Sequence, residues 1–396
     1  MIAPTPFYSG RGTHLRILNE ANALAARGHS VIIVTYHIGD TPAHLHPNII
    51  VKRINRLLFW YKQRSSGPNW QKIFLDLLLF LKVMRIAVEA RPDIFHCHLH
   101  EGVFIGWLAK KTTFARHIAL VGDLHGPLVA EMRAHGYLRL PPVQTIFRWI
   151  EKTIHRMPNR VFASSPGLTP AIDTDRNATD TLVLSDAPTL ANYGPPKLVT
   201  SVADHGETSK LPCIVYTGGF TPDKGLENLF QVITHSLRNG FSCQWVLAGS
   251  PLNMLSVPPE IKSAVRVISP LDYDNLPKIL NDADVACEPK QGILLQGSGK
   301  LLNYMYAGVP PVCFDGPSQR FYLGEELASI LIAPDIPGFY AILKQLVQMT
   351  EDEKARIKTM IMQRAKQFTW AQSARQLERC YLEQWRKKRK SGKSEL

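Results

Sequence analysis

QGSGKLLNYMYAGVP, Gln296 to Pro310, is the stretch on which the reading of the chain turns. Gly297, Ser298 and Gly299 form a loop too small-sided to pack. From Lys300 the pattern turns helical, with Leu301, Leu302 and Met305 on one face and a stop at Gly308-Val309-Pro310. A glycine-rich loop that feeds a helix presents free backbone N–H groups and a positive dipole end to one point, which suits a phosphate. Lys300 adds a full charge there. The plainer reading, for the loop taken alone, is a flexible helix entry.

Its surroundings repeat one pattern. PCIVYTGG, QWVLAGS, VRVISP, DVACEP, PPVCFD and SILIAP read as strands, with helices over GLENLFQVITH and YDNLPKILNDA. Gly218-Gly219 and Ala248-Gly249-Ser250 end two strands at the same edge, and Lys224 follows the first of them. The front of the chain alternates likewise. Met1-Ile2-Ala3-Pro4 reads as the last residues of a strand, cut short or lacking its usual beginning. TPFYSGRGTH follows, with Gly10 and Gly12 as a second loop-to-helix junction, and then a helical spacing of Leu15, Leu18, Ala21 and Ala25 that closes at Arg27-Gly28-His29 before SVIIVTY. IIVKRI, IFHCHLH, HIALVGDL, NRVFASS and TLVLSD continue the strands, and a helix is expected from Trp70 to Ala90. The fold class is α/β, two doubly wound domains. Residues 1–190 form the first and 212–369 the second. A Pro-, Gly-, Ser- and Thr-rich linker over 191–211 joins them, and a helix from Trp370 to Lys390 with a basic end closes the chain.

Composition bounds the function. With 396 residues and 45% hydrophobic content the chain suits two folded domains. Six scattered cysteines without a CxxC pair read as buried thiols, not as a disulfide framework or zinc site. The apolar run Ile73 to Val88 is broken by Asp76, Lys82 and Arg85, so it is an amphipathic helix and not a membrane span. A net charge of +13 points to an anionic partner. Two segments suit an anionic lipid surface: Lys52 to Arg64, where Leu57 to Tyr61 sit between cations, and the tail WRKKRKSGK. A packed edge and a frayed, solvated end are the plain readings of the two.

His96, His98 and His100 alternate, so one strand end is expected to carry three imidazoles. With no fourth ligand at matching spacing, zinc is disfavoured there. His125, at a strand's carboxyl end before Gly126, lies where α/β sheets put chemistry, or else is a hydrogen-bonded loop residue. Asp282-Ala283-Asp284 sits where a helix meets a strand and reads as structural.

The order of these pieces resembles glycosyltransferase family 4, retaining enzymes of the GT-B fold. The matching residues are SGRGTHLRILNEANALAARGHSV, DIFHCHL, DLHG, NRVFASS, VLSDAP, YTGGFTPDKGLENL, VLAGS, DADVACEP, GKLLNYMYAGVPPV and FTWAQSARQLERCY. The resemblance implies two Rossmann-like domains facing across a cleft, with the C-terminal helix crossing back to the first. It implies a nucleotide-sugar donor on the second domain and a glycan or lipid-linked acceptor on the first. No metal or other cofactor is expected, nor a nucleic acid partner. The implied place is the cytoplasm, at or near the inner membrane face, in polysaccharide or glycolipid synthesis. The catalytic positions fall on His125, Lys224 and Lys300. The donor-binding positions fall on Gly12, Gly218, Gly219, Gln296, Gly297, Ser298, Gly299 and Asn303.

Three positions depart from the family. Gly219 stands where an arginine is common. Gln296 and Asn303 replace two glutamates and lie one residue closer together. Amides hydrogen-bond hydroxyls but carry no charge. A catalytically impaired nucleotide-sugar-binding or scaffold protein of the same fold is therefore the alternative. A sugar-nucleotide epimerase fits the pattern less well, and no nucleic-acid-binding module is recognisable.

Overall fold

The structure, a computed structural model, describes residues 1–8, 12–42, 44–57, 61, 71–134, 136–193, 211–291 and 295–393. Gly10, Trp70, most of the basic run (58–60 and 62–64), most of the linker (194–210) and the last three residues lie outside them. The chain divides into two compact units: Met1–Asp186 with Leu294–Gly297 and Trp370–Leu396, and Ala187–Ile293 with Ser298–Thr369.

In the first unit the elements run β1 (Ile2–Ala3), α1 (Gly12–Ala25), β2 (Val31–Thr35), β3 (Ile49–Arg53), α2 (Lys72–Glu89), β4 (Ile94–His98), α3 (Leu99–Thr112), β5 (Ala119–Leu124), α4 (Leu128–Ala134), α5 (Pro141–His155), β6 (Arg160–Ala163), α6 (Thr169–Arg176) and β7 (Leu182–Val183). The seven strands are parallel, in the order β3-β2-β1-β4-β5-β6-β7. Crossovers between parallel strands are right-handed, so the direction of travel along the sheet fixes the face that a helix covers. The connection from β1 to β2 moves one way and places α1 on one face. Those from β3 to β4, β4 to β5 and β5 to β6 move the other way and place α2, α3 and α5 side by side on the opposite face. Burial on both faces explains the near-continuous apolar strands, such as Val31, Ile33 and Val34 or Ala119 to Val121.

The second unit runs β8 (Cys213–Gly219), α7 (Leu226–Arg238), β9 (Gln244–Ser250), β10 (Val265–Ile268), α8 (Leu276–Asn281), β11 (Val285–Glu288), α9 (Gly299–Ala307), β12 (Pro311–Phe314), α10 (Pro317–Leu331), β13 (Ile332–Ala333), α11 (Ile336–Gln348) and α12 (Glu351–Ala365). Its six strands, also parallel, lie in the order β10-β9-β8-β11-β12-β13. The strand expected over SILIAP is a correction. Leu327, Ala328 and Leu331 are buried at helical spacing, so α10 runs through them and only Ile332 and Ala333 pair. TLVLSD likewise pairs only at Leu182 and Val183.

The last helix, α13 (Trp370–Lys393), belongs to the first unit. Glu378 accepts from Arg27 and lies 3.0 Å from His29 Nε2. Arg160 pairs with Glu383 at 3.1 Å, and Trp385 Nε1 donates to Asp93 at 3.0 Å. Leu377 and Ala374 pack into the core beside Ile17 and Ala21 of α1. All six cysteines are free, and all but Cys243 are buried. Among the described residues no helix is long and apolar enough to cross a membrane.

One buried acid ties stability to pH. Asp76 of α2 accepts a hydrogen bond from the Tyr36 hydroxyl at 2.5 Å. Burial, reinforced by Glu101, raises its carboxyl to about 7. An unfolded aspartate titrates near ~4, so between about 4 and 7 the native state holds a proton that the unfolded chain has lost. Stability from this group is therefore greatest at low pH and falls through that window, by about 4 kcal/mol in all. Asp76→Asn is expected to flatten the window and raise the melting temperature at pH 8 more than at pH 5. An equal shift at both would refute the assignment.

Candidate functional site

The carboxyl ends of β4 and β5 carry the polar centre of the first unit. Parallel register places His98 beside Asp123, both fully buried. Asp123 receives Arg16 of α1 in a two-point pairing, Nε to Oδ2 and Nη2 to Oδ1, both at 2.9 Å. Arg16 Nη1 also donates to the Leu184 carbonyl at 3.0 Å and to Asp186 at 2.8 Å. Burial alone would raise the Asp123 carboxyl, but Arg16 and then His125 override it and hold it well below the usual range. Glu20 lies 2.9 Å from Arg16 Nε yet behaves oppositely. Burial, then the charge on Asp123, raises it well above its ordinary value. One guanidinium faces three carboxyls, Asp123 holds its fork, and the proton stays on Glu20.

An ionised Asp123 can only accept, which fixes two imidazoles. His125 Nε2 lies 2.9 Å and His98 Nδ1 3.1 Å from Asp123 Oδ2, so each donates its N–H there. His125 then presents Nδ1 as an acceptor. Its own carbonyl accepts from Ser164 Oγ at 3.0 Å, which fixes the backbone. Gly12 opens α1, and among the described residues, its chain neighbours and its own helix backbone aside, no atom lies within 4 Å of where a Cβ would stand, which leaves room for a ligand at the helix start.

The expectation of three imidazoles on one strand end is corrected. β4 ends at His98, Leu99 turns the chain with φ +64, and His100 enters α3 facing α5. There His100 Nε2 lies 3.2 Å from His155 Nε2, and His155 Nδ1 donates to Asp175 at 2.7 Å. His96 instead hydrogen-bonds Tyr381 of α13. Glu20, His96, His98 and Asp123 bring potential metal-ligating atoms within 4.8 Å of one another, as do His100, Glu151 and His155. In the first group Arg16 already supplies the cation. Beside the second, a cavity of about 230 Å³ opens at the end of β5, with Gly126, Pro127, Arg133 and His155 in its wall.

Gln296 and Gly297 fall in this first unit. Gln296 Nε2 donates to Glu131, and the Gly297 N–H reaches Ser164 Oγ at 3.5 Å.

The second unit gathers cations at the ends of β8 and β11. Gly218 pairs with Gly249 and Gly219 with Ser250, so the two glycine ends do share an edge. A Cβ on Gly249 would stand 2.0 Å from the Gly218 carbonyl oxygen, so only glycine permits this approach. Gly219 has no such limit, since its nearest neighbour would be 3.6 Å away. Lys300, one residue inside α9, pairs with the buried Glu288 at 3.1 Å and stands over the Tyr216 ring at 4.3 Å. Burial opposes its charge, but Glu288, then Tyr216 and Tyr304, outweigh it and hold the ammonium above its usual range. Lys224, half-buried before α7, pairs with Asp223. Lys290, just past β11, is a member that sequence reasoning missed. Burial, then Lys224 and Lys300, lower it to about 8. A Cβ on Gly218 would stand 3.4 Å from Lys300 Nζ and one on Gly219 3.7 Å from Lys224 Cγ, so these two lysines flank the same strand end.

Beside them, Ser298 caps α9 without a side-chain hydrogen bond, and its Oγ is buried with no partner among the described residues. A buried hydroxyl in that state costs free energy until something accepts from it. Gly299 is the first residue of α9. Asn303 is buried, and its Oδ1 accepts the Leu190 N–H at 3.1 Å. Asp284 accepts from the Cys213 N–H at 2.7 Å, the structural part expected of the Asp282–Asp284 triplet.

Residues 10–171 match the family model described as Glycosyltransferase Family 4, and residues 212–349 match the one described as Glycosyl transferases group 1. No curated protein sequence matches the chain. Many solved structures share its fold, three of which follow. Sucrose-phosphate synthase from Thermosynechococcus elongatus is 16% identical, with TM-score 0.72 and coverage of 96% of this chain and 97% of that one. The catalytic domain of starch synthase IV from Arabidopsis thaliana, bound to ADP and acarbose, is 13% identical, with TM-score 0.73 and coverage of 97% and 98%. HepE from Anabaena, in complex with UDP and glucose, is 14% identical, with TM-score 0.70 and coverage of 96% and 97%. At these identities the likeness is one of fold.

Proposed function

Because the chain belongs to the family 4 glycosyltransferases, we propose that it is a retaining enzyme that moves a sugar from a nucleoside diphosphate sugar to a glycan or lipid-linked acceptor. The process it serves is the synthesis of a cell-surface polysaccharide or glycolipid, in the cytoplasm at the membrane's inner face. The observation that carries the reading is the cation cluster of Lys224, Lys290 and Lys300 beside the unpartnered Ser298 hydroxyl at the start of α9. Glu288 pairs with Lys300 and Asp223 with Lys224. A diphosphate suits this group, since it meets the lysines' positive charge and accepts from Ser298 and from the first N–H groups of α9. Two of the fold neighbours hold UDP or ADP, which supports a nucleotide in this role.

The chemistry follows from the charge. Breaking the sugar–phosphate bond leaves negative charge on the departing diphosphate, and fixed cations and N–H groups stabilise it most when it is fully developed. With three lysines at hand no metal is needed for that task. Retention then comes from attack on the face the diphosphate leaves, with the leaving phosphate taking the acceptor's proton. His125, held by Asp123, positions a sugar hydroxyl through Nδ1. The acceptor's place is the first unit, where the cavity beside Gly126 supports it.

A second reading, nucleotide-sugar binding without turnover, is favoured by Gly219 and by the commitment of Asn303 to Leu190. Thermal-shift screening with UDP-, GDP- and ADP-sugars, followed by product analysis with the best of them, separates the two. Stabilisation with transfer supports the enzyme. Stabilisation without hydrolysis or transfer supports the binder, and no stabilisation by any of them refutes both.

A further inference from the structure

The helix layer formed by α2, α3 and α5 carries an unusual outer face. On α2, Ile73, Phe74, Leu77, Leu81 and Val88 are exposed, with Ile73 at 71%. Most of them recur at four-residue intervals, which draws one stripe along the helix. Phe104 on the adjacent α3 is exposed, with Trp107 stacked on it. Ile146 and Trp149 are exposed on α5, which packs against α3. Right-handed crossovers put all three helices on the same side of the sheet, so these side chains share one surface. Among the described residues, the large apolar side chains exposed on the second unit are few by comparison: Leu211, Leu237, Leu252, Met254 and Val267. Soluble surfaces rarely carry so broad an apolar patch without a partner.

Cations are interleaved with it. From Lys72 to Arg156 the chain has 12 Lys and Arg against 7 Asp and Glu. Of the seven acids, Asp123 and Glu151 are buried, and Asp76 faces Tyr36. Lys82, Lys111 and Lys152 lie on the helices of the layer, together with Arg85, which pairs with Glu89, and Arg148, which pairs with Glu151 and Asp175. At its far end Lys110 is crowded by Lys388 of α13 and by Lys111; burial and then these two charges lower it to about 8. The basic tail noted in the sequence thus reaches the same layer.

We propose that this face docks the protein onto an anionic lipid bilayer, with the apolar stripe of α2 and Trp149 entering the interface and the surrounding lysines and arginines meeting the headgroups. Charge decides between occupants. A second copy of the chain would bring the same excess of cations against itself, which repels, whereas anionic headgroups attract it. Apolar side chains flanked by Lys and Arg have the composition of an interfacial segment. The surface uses none of the donor-binding residues, so its failure would leave the transfer reading standing.

Flotation of the full chain with vesicles tests it. Binding is expected to phosphatidylcholine vesicles that contain phosphatidylglycerol, to weaken at high salt, and to be slight on phosphatidylcholine alone. Leu77→Glu with Leu81→Glu on α2, and separately Trp149→Glu on α5, alter exposed positions and should leave the circular dichroism spectrum unchanged. Each variant is expected to weaken partitioning by roughly tenfold or more. No flotation of the parent at low salt, binding indifferent to phosphatidylglycerol, or variants that float like the parent would each overturn the proposal. So would a concentration-dependent dimer that the same substitutions dissolve.

Discussion

Lys300→Met is expected to cut turnover by about 10²–10³, the loss typical of removing one charge-stabilising group from a transition state. The same change should also destabilise the second domain by about 3–5 kcal/mol, because it strands Glu288 in the interior without its cation. The two effects have different origins and can be separated. Pairing Lys300→Met with Glu288→Gln removes the stranded charge and should recover most of the melting temperature. If donor affinity and turnover stay low in the double variant, Lys300 acts on the diphosphate. If they return with the stability, the lysine's part is structural and the catalytic assignment fails.

The second large effect is expected at Asp123→Asn. The variant should fold, because Glu20 stands 2.9 Å from Arg16 and can ionise once the neighbouring negative charge is gone. His125 and His98, however, lose the anion that fixes which nitrogen carries the proton. A fall in kcat of about 10²–10³ is expected, with KM changed far less, since orientation of a catalytic imidazole is felt mainly in the transition state. Acid denaturation supplies an independent readout. Because Asp123 is held well below its unfolded value, its contribution is present above about pH 4 and lost as pH falls through the folded value. The variant should lack that part of the acid transition. An unchanged kcat would remove Asp123 and His125 from the machinery.

Much of this architecture is legible in sequence, for identifiable reasons. The glycine-to-helix junctions at Gly12 and at Gly299 announce themselves because local geometry demands small residues and a helical spacing straight after. The strands of a doubly wound sheet are buried on both faces, so their composition betrays them. The pairings that make the site work are long-range and leave no local trace. Arg16 and Asp123 are 107 positions apart, and nothing near Arg16 distinguishes it from a solvated helix cation. Lys290 gives no sign in the sequence, because a lysine after a proline at a strand end is indistinguishable there from an ordinary surface residue. Its membership appears only when β8, β11 and α9 converge. Asn303 takes a donor-binding place in the motif, and only the fold reveals the Leu190 amide that its oxygen also serves. His100 followed the strand's alternation on paper. One left-handed residue, Leu99, sends it to the other side.

The free thiols give each half of the molecule its own chemical clock. Cys97 lies in β4, and Cys287 and Cys313 lie in β11 and β12, all buried in the middle of their sheets. Burial also holds each of these thiols well above its ordinary pKa, so the reactive thiolate is scarce while the sheet is closed. Alkylation at these positions must therefore wait for the surrounding strands to part. Peptide mapping of the label would time the opening of one sheet through Cys97 and of the other through Cys287 and Cys313. A bound nucleotide sugar that steadies only the second unit would slow the latter pair and leave Cys97 unchanged.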